Sequence, residues 1–164
     1  MIKAGVIGAG FIGPAHVEAL RRLGDVEVVA LAASSQVSAE AKARSLNVPR
    51  AYGDWRDLVR NPDIQVIHNC TPNAMHHEVT MAALAAGKHV VAEKPLAMTS
   101  QETGELVRTL QATDRVGAVC FNYRMYPLVQ EARVRVAAGE MGQVRLVHGC
   151  YLQDWLLHET DYNW

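Results

Sequence analysis

Three glycines near the amino terminus have the spacing of a turn that binds phosphate groups. Gly8, Gly10 and Gly13 follow a short apolar segment, Ile2 to Ile7, and precede a segment whose apolar residues recur at helical spacing. The first glycine of such a turn permits its tight bend, the second lets the backbone approach a pyrophosphate, and the third lets helix and strand pack closely. Free N–H groups at the start of the following helix attract the phosphates. The residues that we expect to contact a dinucleotide here are Gly8, Gly10, Phe11, Ile12 and Gly13.

The end of the second predicted strand, Val26 to Ala32, bears on which dinucleotide binds. An NAD-binding turn is normally followed, about 20 residues on, by an acidic residue that binds the ribose 2′-hydroxyl group. At that place the chain has Ser34 and Ser35 and no carboxylate. Repulsion against a 2′-phosphate is absent, and both hydroxyl groups can donate to one, although no arginine is adjacent. The sequence therefore favours NADP and leaves NAD open.

Polar residues follow three later apolar segments. Asn69-Cys70-Thr71-Pro72-Asn73 ends one segment, Glu93-Lys94-Pro95 ends the next, and Asn122-Tyr123-Arg124 ends the last. Open parallel sheets bind ligands at the carboxyl ends of their strands, so these three ends predict one site. In a cleft beside a dinucleotide, the ammonium group of Lys94 can hydrogen-bond a reacting hydroxyl or carbonyl oxygen.

Strands and helices alternate strictly along the first part of the chain. This alternation predicts parallel strands joined by right-handed helical crossovers, which is a doubly wound α/β fold of the Rossmann type. Asp54 can cap a short helix, Gly87 stands at an expected helix end, and Thr99 with Glu102 has capping-box spacing. The predicted strands are 2–7, 26–32, 64–70, 89–92 and 116–121.

The chain changes character after about residue 122. Residues 1–122 are predicted to form the NAD(P)-binding domain, and residues 123–164 the beginning of a second, α+β domain. There, a helix over Tyr126 to Ala138 is followed by an extended strand, Gln143 to Asp154. A lone strand needs neighbours. They come either from a longer second domain or from another chain, and we therefore expect a homo-oligomer.

Composition excludes several classes of partner. The formal net charge of −1 gives no electrostatic case for a nucleic acid or an anionic membrane. The chain passes from Met1 directly into a strand, so no signal peptide is expected. Cys70, Cys120 and Cys150 are too widely spaced to indicate a disulfide framework or a zinc site, and we expect no metal. These features are typical of a cytoplasmic protein.

The ordered motifs resemble those of one oxidoreductase family. The glycine turn, Thr71-Pro72-Asn73 with His76, and Glu93-Lys94-Pro95 are together similar to the glucose–fructose oxidoreductase / inositol dehydrogenase (Gfo/Idh/MocA) family. The resemblance implies that Lys94 is catalytic, near the nicotinamide, and that the Lys94–Pro95 peptide bond is cis. The cofactor-binding residues that it adds are Cys70, Thr71, Pro72, Asn73, His76, Glu93, Lys94 and Asn122.

The same resemblance implies an activity. Family members transfer a hydride between a nicotinamide cofactor and a secondary alcohol or carbonyl of a sugar or polyol. Their second domain carries an Asp and a His on one helix, and no such helix occurs before Trp164, so we expect this chain alone to lack the full catalytic set. The alternative is a non-catalytic dinucleotide-binding or redox-sensing module. A methyltransferase is disfavoured by the glycine spacing and by Glu93-Lys94-Pro95.

Overall fold

Residues 1–121 fold around one parallel β-sheet flanked by helices on both faces. The structure, a computed structural model, describes residues 1–161. The strands are β1 (Ile2–Ile7), β2 (Val26–Ala32), β3 (Arg50–Tyr52), β4 (Val66–Asn69), β5 (His89–Glu93) and β6 (Gly117–Cys120). The helices are α1 (Gly13–Arg21), α2 (Gln36–Ser45), α3 (Trp55–Arg60), α4 (His76–Ala85), α5 (Ser100–Gln111) and α6 (Pro127–Ala137), with 3₁₀ turns at Asn73–Met75 and Asn122–Met125.

The strand order places a topological switch point at the centre of the sheet. The order is β3-β2-β1-β4-β5-β6, and every paired strand is parallel to its neighbour. The chain therefore winds outward from β1 to β3 and then returns to start β4 on the other side of β1. Carboxyl ends that diverge at such a point leave a crevice where dinucleotides bind. The predicted doubly wound α/β fold is confirmed.

Two apolar clusters cover the two faces of the sheet. Successive strand residues point to opposite faces, so Val6 and Ile7 belong to different clusters. Val6 packs with Val17 of α1, whereas Ile7 packs with Leu58 of α3 and with residues of α4. Both faces of the central strands are consequently buried, as a parallel sheet requires.

Local signals fix where several helices begin and end. The Asp54 carboxylate accepts the Arg56 N–H at the start of α3. Both hydrogen bonds of the Thr99–Glu102 capping box are present at the start of α5. Gly87, with a φ of 71°, lies just beyond α4, where a left-handed residue ends a helix. These predictions are confirmed.

The chain separates into two compact units, Met1–Phe121 and Asn122–Trp164. The second unit contains α6, close to the predicted bounds, but the predicted strand over Gln143 to Asp154 is wrong: those residues form no strand. A strand needs a hydrogen-bonded neighbour, and residues 122–161 supply none. The assignment of residues 123–164 to a second domain stays a prediction. Within residues 1–161, no helix combines the length and apolar character that a membrane crossing requires.

Candidate functional site

The glycine turn packs directly against the end of β4. Gly8 has a φ of 97°, and a Cβ atom placed on it would lie 2.2 Å from the Cys70 carbonyl oxygen. A Cβ on Gly13 would lie 2.1 Å from the Gly8 carbonyl oxygen. Side chains are therefore excluded at both positions by backbone contact. The glycine turn is thus placed at the switch point, between the carboxyl ends of β1 and β4.

The space beside Gly10 is open. A Cβ atom on this residue would meet nothing within 4 Å. The neighbouring helix α1 has no acidic residue in its first turn, and its N-cap residue, Ile12, makes no side-chain capping bond. Phe11 is exposed, so its contribution to a site would come from its backbone. An uncapped helix start next to open space is suited to bind the phosphates of a dinucleotide.

The end of β2 presents hydroxyl groups and no carboxylate. Ser35 is the N-cap of α2, where its Oγ accepts the Ser38 N–H at 3.2 Å. Ser34 is exposed beside it. The Ser34 hydroxyl is available to a ligand, whereas the Ser35 oxygen also serves the helix.

The end of β4 is a hydrogen-bonded turn centred on Asn69. The fully buried Asn69 side chain accepts the Thr71 hydroxyl at 2.7 Å and donates to Thr80 Oγ1 at 3.1 Å. Cys70 is buried, and burial, followed by the negative charge of Glu93, raises the pKa of its thiol. Cys70 can therefore line the turn but is held as an unreactive thiol. Pro72 and Asn73 are exposed on the outer side of this turn.

His76 joins the turn that follows β4 to the turn that follows β5. Its ring is buried, with Nε2 2.8 Å from the Thr71 carbonyl oxygen and Nδ1 2.5 Å from that of Pro95. Both partners are acceptors, so both hydrogen bonds form only when both ring nitrogens carry protons. The His76 side chain is thus engaged within the protein, and its role next to a cofactor is to hold the two turns together.

A cluster of four polar side chains lies at the ends of β4, β5 and β6. His16 of α1 is 3.0 Å from Glu93 through Nε2 and 2.9 Å from His68 through Nδ1. Burial of Glu93 would raise its pKa, but hydrogen bonds from His16, Cys120 and the Lys94 N–H outweigh burial and hold the pKa below its usual value. The Glu93 carboxylate is therefore ionised at neutral pH.

Two other members of this cluster, His68 and Cys120, are uncharged at neutral pH. Burial, together with the adjacent His16, lowers the pKa of His68 to about 4. Burial and then Glu93 raise the pKa of the Cys120 thiol to about 11. One atom each of His16, Glu93 and Cys120 lies within 4.8 Å of the others, a spacing that could accommodate a metal ion. These atoms are already joined by hydrogen bonds to Glu93, so the geometry fits a hydrogen-bonded cluster without any ion.

Lys94 lies in the turn after β5, between Glu93 and Pro95. Its N–H donates to Glu93 Oε2 at 3.2 Å, and the Lys94–Pro95 peptide bond is cis, as expected. The side chain is exposed and makes no hydrogen bond or ion pair with any residue of the described range 1–161. The Lys94 ammonium group is therefore free to meet a ligand.

Asn122 belongs to the second unit. It opens the 3₁₀ turn Asn122–Met125, and its predicted place near a nicotinamide stays a prediction. Within that unit the hydroxyl oxygens of Tyr123 and Tyr151 are 2.6 Å apart.

The sequence analysis missed the cluster around Glu93. His16, His68 and Cys120 belong to three different elements, and none stands in a recognised motif. One signal was available. His16 precedes the buried Val17 and Leu20 by one and four positions, so it falls on the inner face of α1. A polar residue on such a face needs a buried partner.

A switch-point crevice with a glycine turn and an uncapped helix start defines a dinucleotide-binding domain, and an exposed lysine lies on the same rim. Residues 2–121 match the model of the Gfo/Idh/MocA family, described as an oxidoreductase family with an NAD-binding Rossmann fold. The chain belongs to this family.

Relatives of known name agree with this placement. Levoglucosan dehydrogenase of Pseudarthrobacter phenanthrenivorans is 36% identical over 94% of this chain. A structure of levoglucosan dehydrogenase with NADH and levoglucosan aligns with a TM-score of 0.83 at 33% identity, over 87% of this chain and 40% of that one. Myo-inositol dehydrogenase of Lactobacillus casei with NAD(H) and myo-inositol aligns with a TM-score of 0.81 at 28% identity, over 87% and 43%. The chain spans 42% of the length of the first relative.

Proposed function

We propose that this chain is the cofactor-binding part of an NAD(P)-dependent oxidoreductase that acts on a secondary alcohol or carbonyl of a sugar or polyol. One observation carries the proposal: an exposed lysine whose side chain has no partner among residues 1–161 follows β5, on the rim where the glycine turn meets β4. A domain that only binds a dinucleotide has no need of such a group. Relatives named as dehydrogenases support the enzyme over a non-catalytic dinucleotide-binding or redox-sensing module.

The residues of the glycine turn bind and orient the cofactor in this proposal. Backbone N–H groups from Gly10 to Gly13 contact the pyrophosphate, and the Thr71-Pro72-Asn73 turn and Glu93-Lys94 line the crevice toward the nicotinamide. The bound nicotinamide supplies the hydride acceptor or donor. Lys94 Nζ hydrogen-bonds the reacting oxygen of the substrate, which stabilises the developing alkoxide as the hydride leaves its carbon and the hydroxyl proton is taken up by an acid–base group.

The proposed cofactor is NADP, with NAD as the alternative. The hydroxyl groups of Ser34 and Ser35 support NADP, since they stand where a carboxylate would repel a 2′-phosphate. The levoglucosan and myo-inositol dehydrogenase structures contain NADH or NAD(H), which keeps NAD in the test. Fluorescence titration of the chain with NADPH and NADH compares the two dissociation constants. We expect tighter binding of NADPH, and tighter binding of NADH would overturn the preference.

Substrate, assembly and location complete the proposal. Two relatives are solved with levoglucosan or myo-inositol, which supports a sugar or polyol. The acid–base partners of Lys94 are proposed to lie outside this chain, which therefore binds cofactor without efficient turnover. We also propose a homo-oligomer, although residues 143–154 do not form the strand from which the sequence analysis inferred it. The free thiols of Cys70, Cys120 and Cys150 support a cytoplasmic location.

Catalysis is tested on the longest chain that the reading frame encodes. Turnover of a polyol panel with NADPH and NADH is compared between the wild type and Lys94→Ala. We expect cofactor binding to persist and kcat to fall by ~100-fold or more, the range of a lost acid–base or oxyanion group. Undiminished turnover would remove Lys94 from the mechanism. Absence of turnover with every polyol, despite cofactor binding, would favour the binding module.

A further inference from the structure

Lys94 is exposed, but the residues on both sides of it are held by buried histidines. Glu93, before it, is hydrogen-bonded by His16 Nε2 at 3.0 Å. The carbonyl oxygen of Pro95, after it, lies 2.5 Å from His76 Nδ1. Both histidine rings are at least nine-tenths buried. The exposed lysine side chain thus extends from a short backbone segment whose two flanking residues are hydrogen-bonded to buried side chains.

The two histidines come from helices that start at the cofactor crevice. His16 stands in the first turn of α1, three residues after Gly13, where the dinucleotide phosphates are proposed to bind. His76 is the first residue of α4, and its Nε2 is 2.8 Å from the Thr71 carbonyl oxygen at the end of β4. A displacement of either helix start is therefore transmitted to the peptide that carries Lys94.

The proton on His16 Nε2 can be assigned from its hydrogen-bond partner, the Glu93 carboxylate. An ionised carboxylate only accepts hydrogen bonds, so His16 Nε2 carries a proton and donates it to Glu93. His16 Nδ1 and His68 Nδ1 are 2.9 Å apart, so one of these two nitrogens donates to the other. His68 therefore fixes the orientation of the His16 ring, much as an outer partner orients a catalytic or ligating imidazole. Glu93 Oε2 in turn accepts the Lys94 N–H at 3.2 Å.

We propose that His16 and His76 are positioning residues for Lys94, which tie it to the phosphate-binding helix and to the β4 turn so that cofactor binding and lysine placement are coupled. This inference rests on the proposed function, because it assumes that Lys94 lies beside the bound nicotinamide. Preorganisation of a catalytic group by locked neighbouring rotamers and hydrogen bonds is a general requirement of active sites. Neither histidine ring has a nitrogen left for a ligand, so both act through Glu93 and Pro95.

The Lys94 amide is a direct reporter of this coupling. The lysines of the chain are Lys3, Lys42, Lys88 and Lys94, so a chain labelled with [¹⁵N]lysine gives a simple amide spectrum. The Lys94 resonance is assigned by its loss in Lys94→Arg. NADPH is then titrated while its fluorescence gives the dissociation constant independently. In the wild type we expect the Lys94 resonance to shift with the same dissociation constant as the fluorescence change.

Substitutions at position 16 separate positioning from simple stability. His16→Asn keeps an amide but is too short to reach Glu93, whereas His16→Gln places a donor near the position of Nε2. With His16→Asn we expect NADPH to bind while the Lys94 shift is lost or its resonance broadens, with Lys3 and Lys42 unchanged. His16→Gln should restore the shift. His77→Leu, which removes a histidine–carboxylate contact elsewhere on α4, should behave as the wild type.

The outcomes distinguish the inference from the proposed function. An equal Lys94 shift in the wild type and in His16→Asn would overturn the positioning role and leave the proposed function standing. Cofactor binding without any Lys94 response in the wild type would overturn both the placement of Lys94 and the coupling. If His16→Asn does not fold, the Lys94 shift is measured in His76→Gln instead, which retains one carbonyl contact, and the same outcomes support or overturn the inference. Absence of NADPH and NADH binding in the wild type would refute the proposed function itself.

Discussion

Gly8 and Gly10 stand in the same turn but differ in what surrounds them. An added Cβ on Gly8 would collide with the Cys70 carbonyl group in a backbone conformation with a φ of 97°, whereas a Cβ on Gly10 would enter open space. We expect Gly8→Ala to lower the free energy of unfolding by at least about 1–3 kcal/mol, the cost of a strained backbone position. Gly10→Ala should leave stability unchanged and weaken NADPH binding by ~10-fold or more, about 1.4 kcal/mol, because its methyl group would occupy space that the pyrophosphate needs.

Urea unfolding and fluorescence titration of both variants check this pair. Gly24→Ala, at a surface turn with a φ of 79° and open space around it, is the control for backbone strain away from the crevice. It should lose some stability and keep full cofactor affinity. Unchanged NADPH affinity in Gly10→Ala would contradict the placement of the pyrophosphate.

At the level of residues, the sequence predicted the parts of the site that belong to local motifs. Gly8, Gly10 and Gly13 are recognisable by their spacing: backbone contacts exclude a side chain at Gly8 and Gly13, and the expected pyrophosphate excludes one at Gly10. Lys94 is recognisable because it directly follows an apolar strand. The Glu93 cluster is different. Its four members are spread along the chain from His16 to Cys120, and they come together only through the strand order of the sheet. Sequence spacing carries no information about such meetings.

At the level of elements, the capping box at the start of α5 allows the contribution of one local sequence motif to stability to be measured. The Thr99 Oγ accepts the Glu102 N–H at 3.2 Å, and the Glu102 carboxylate accepts the Thr99 N–H at 3.0 Å. We expect Thr99→Ala to reduce the free energy of unfolding by about 1 kcal/mol, the usual contribution of an N-cap. Thr103→Ala is the matched control, since its hydroxyl only donates to the Thr99 carbonyl oxygen within the helix. Urea unfolding in which Thr103→Ala costs as much as Thr99→Ala would contradict the capping account.

The strand predictions were most accurate for the two longest strands of the sheet. β1 and β2 were predicted with their observed bounds because mainly apolar segments of six and seven residues, buried over their later positions, leave a clear pattern. β3 was missed, since it is a three-residue edge strand, Arg50–Tyr52, paired only with β2. The extended run after residue 142 has strand-like composition but no neighbour among the described residues. Composition predicts the capacity to pair, and pairing itself depends on the rest of the fold.

At the level of the whole molecule, the apolar and polar interiors are separated along the sheet. Both apolar clusters are formed by residues of the first unit between positions 4 and 92. The buried residues His16, His68, His76 and Glu93 gather instead near the carboxyl ends of β4 and β5, where the crevice opens, whereas the buried Lys88 lies before β5 and donates to the Asn61 and Ile64 carbonyl oxygens. This arrangement stabilises the sheet with apolar contacts and leaves its rim to polar groups that hold the proposed site. The stability of the unit therefore depends on pH through that rim.

His68 gives this pH dependence a definite sign. Burial and the adjacent His16 lower its pKa in the folded protein from 6.5 to about 4. His68 in the unfolded chain binds a proton at the higher pKa. Its contribution to the free energy of unfolding is therefore fully present at neutral pH and is lost as the pH falls from 6.5 to about 4. A shift of this size corresponds to on the order of 3 kcal/mol. The amide of His68→Asn can still donate to His16. Urea unfolding measures how much free energy of unfolding is lost between neutral pH and about pH 4, and this loss should be smaller in His68→Asn than in the wild type by that amount. An equally steep decline in His68→Asn would show that other groups control the acid stability of the protein.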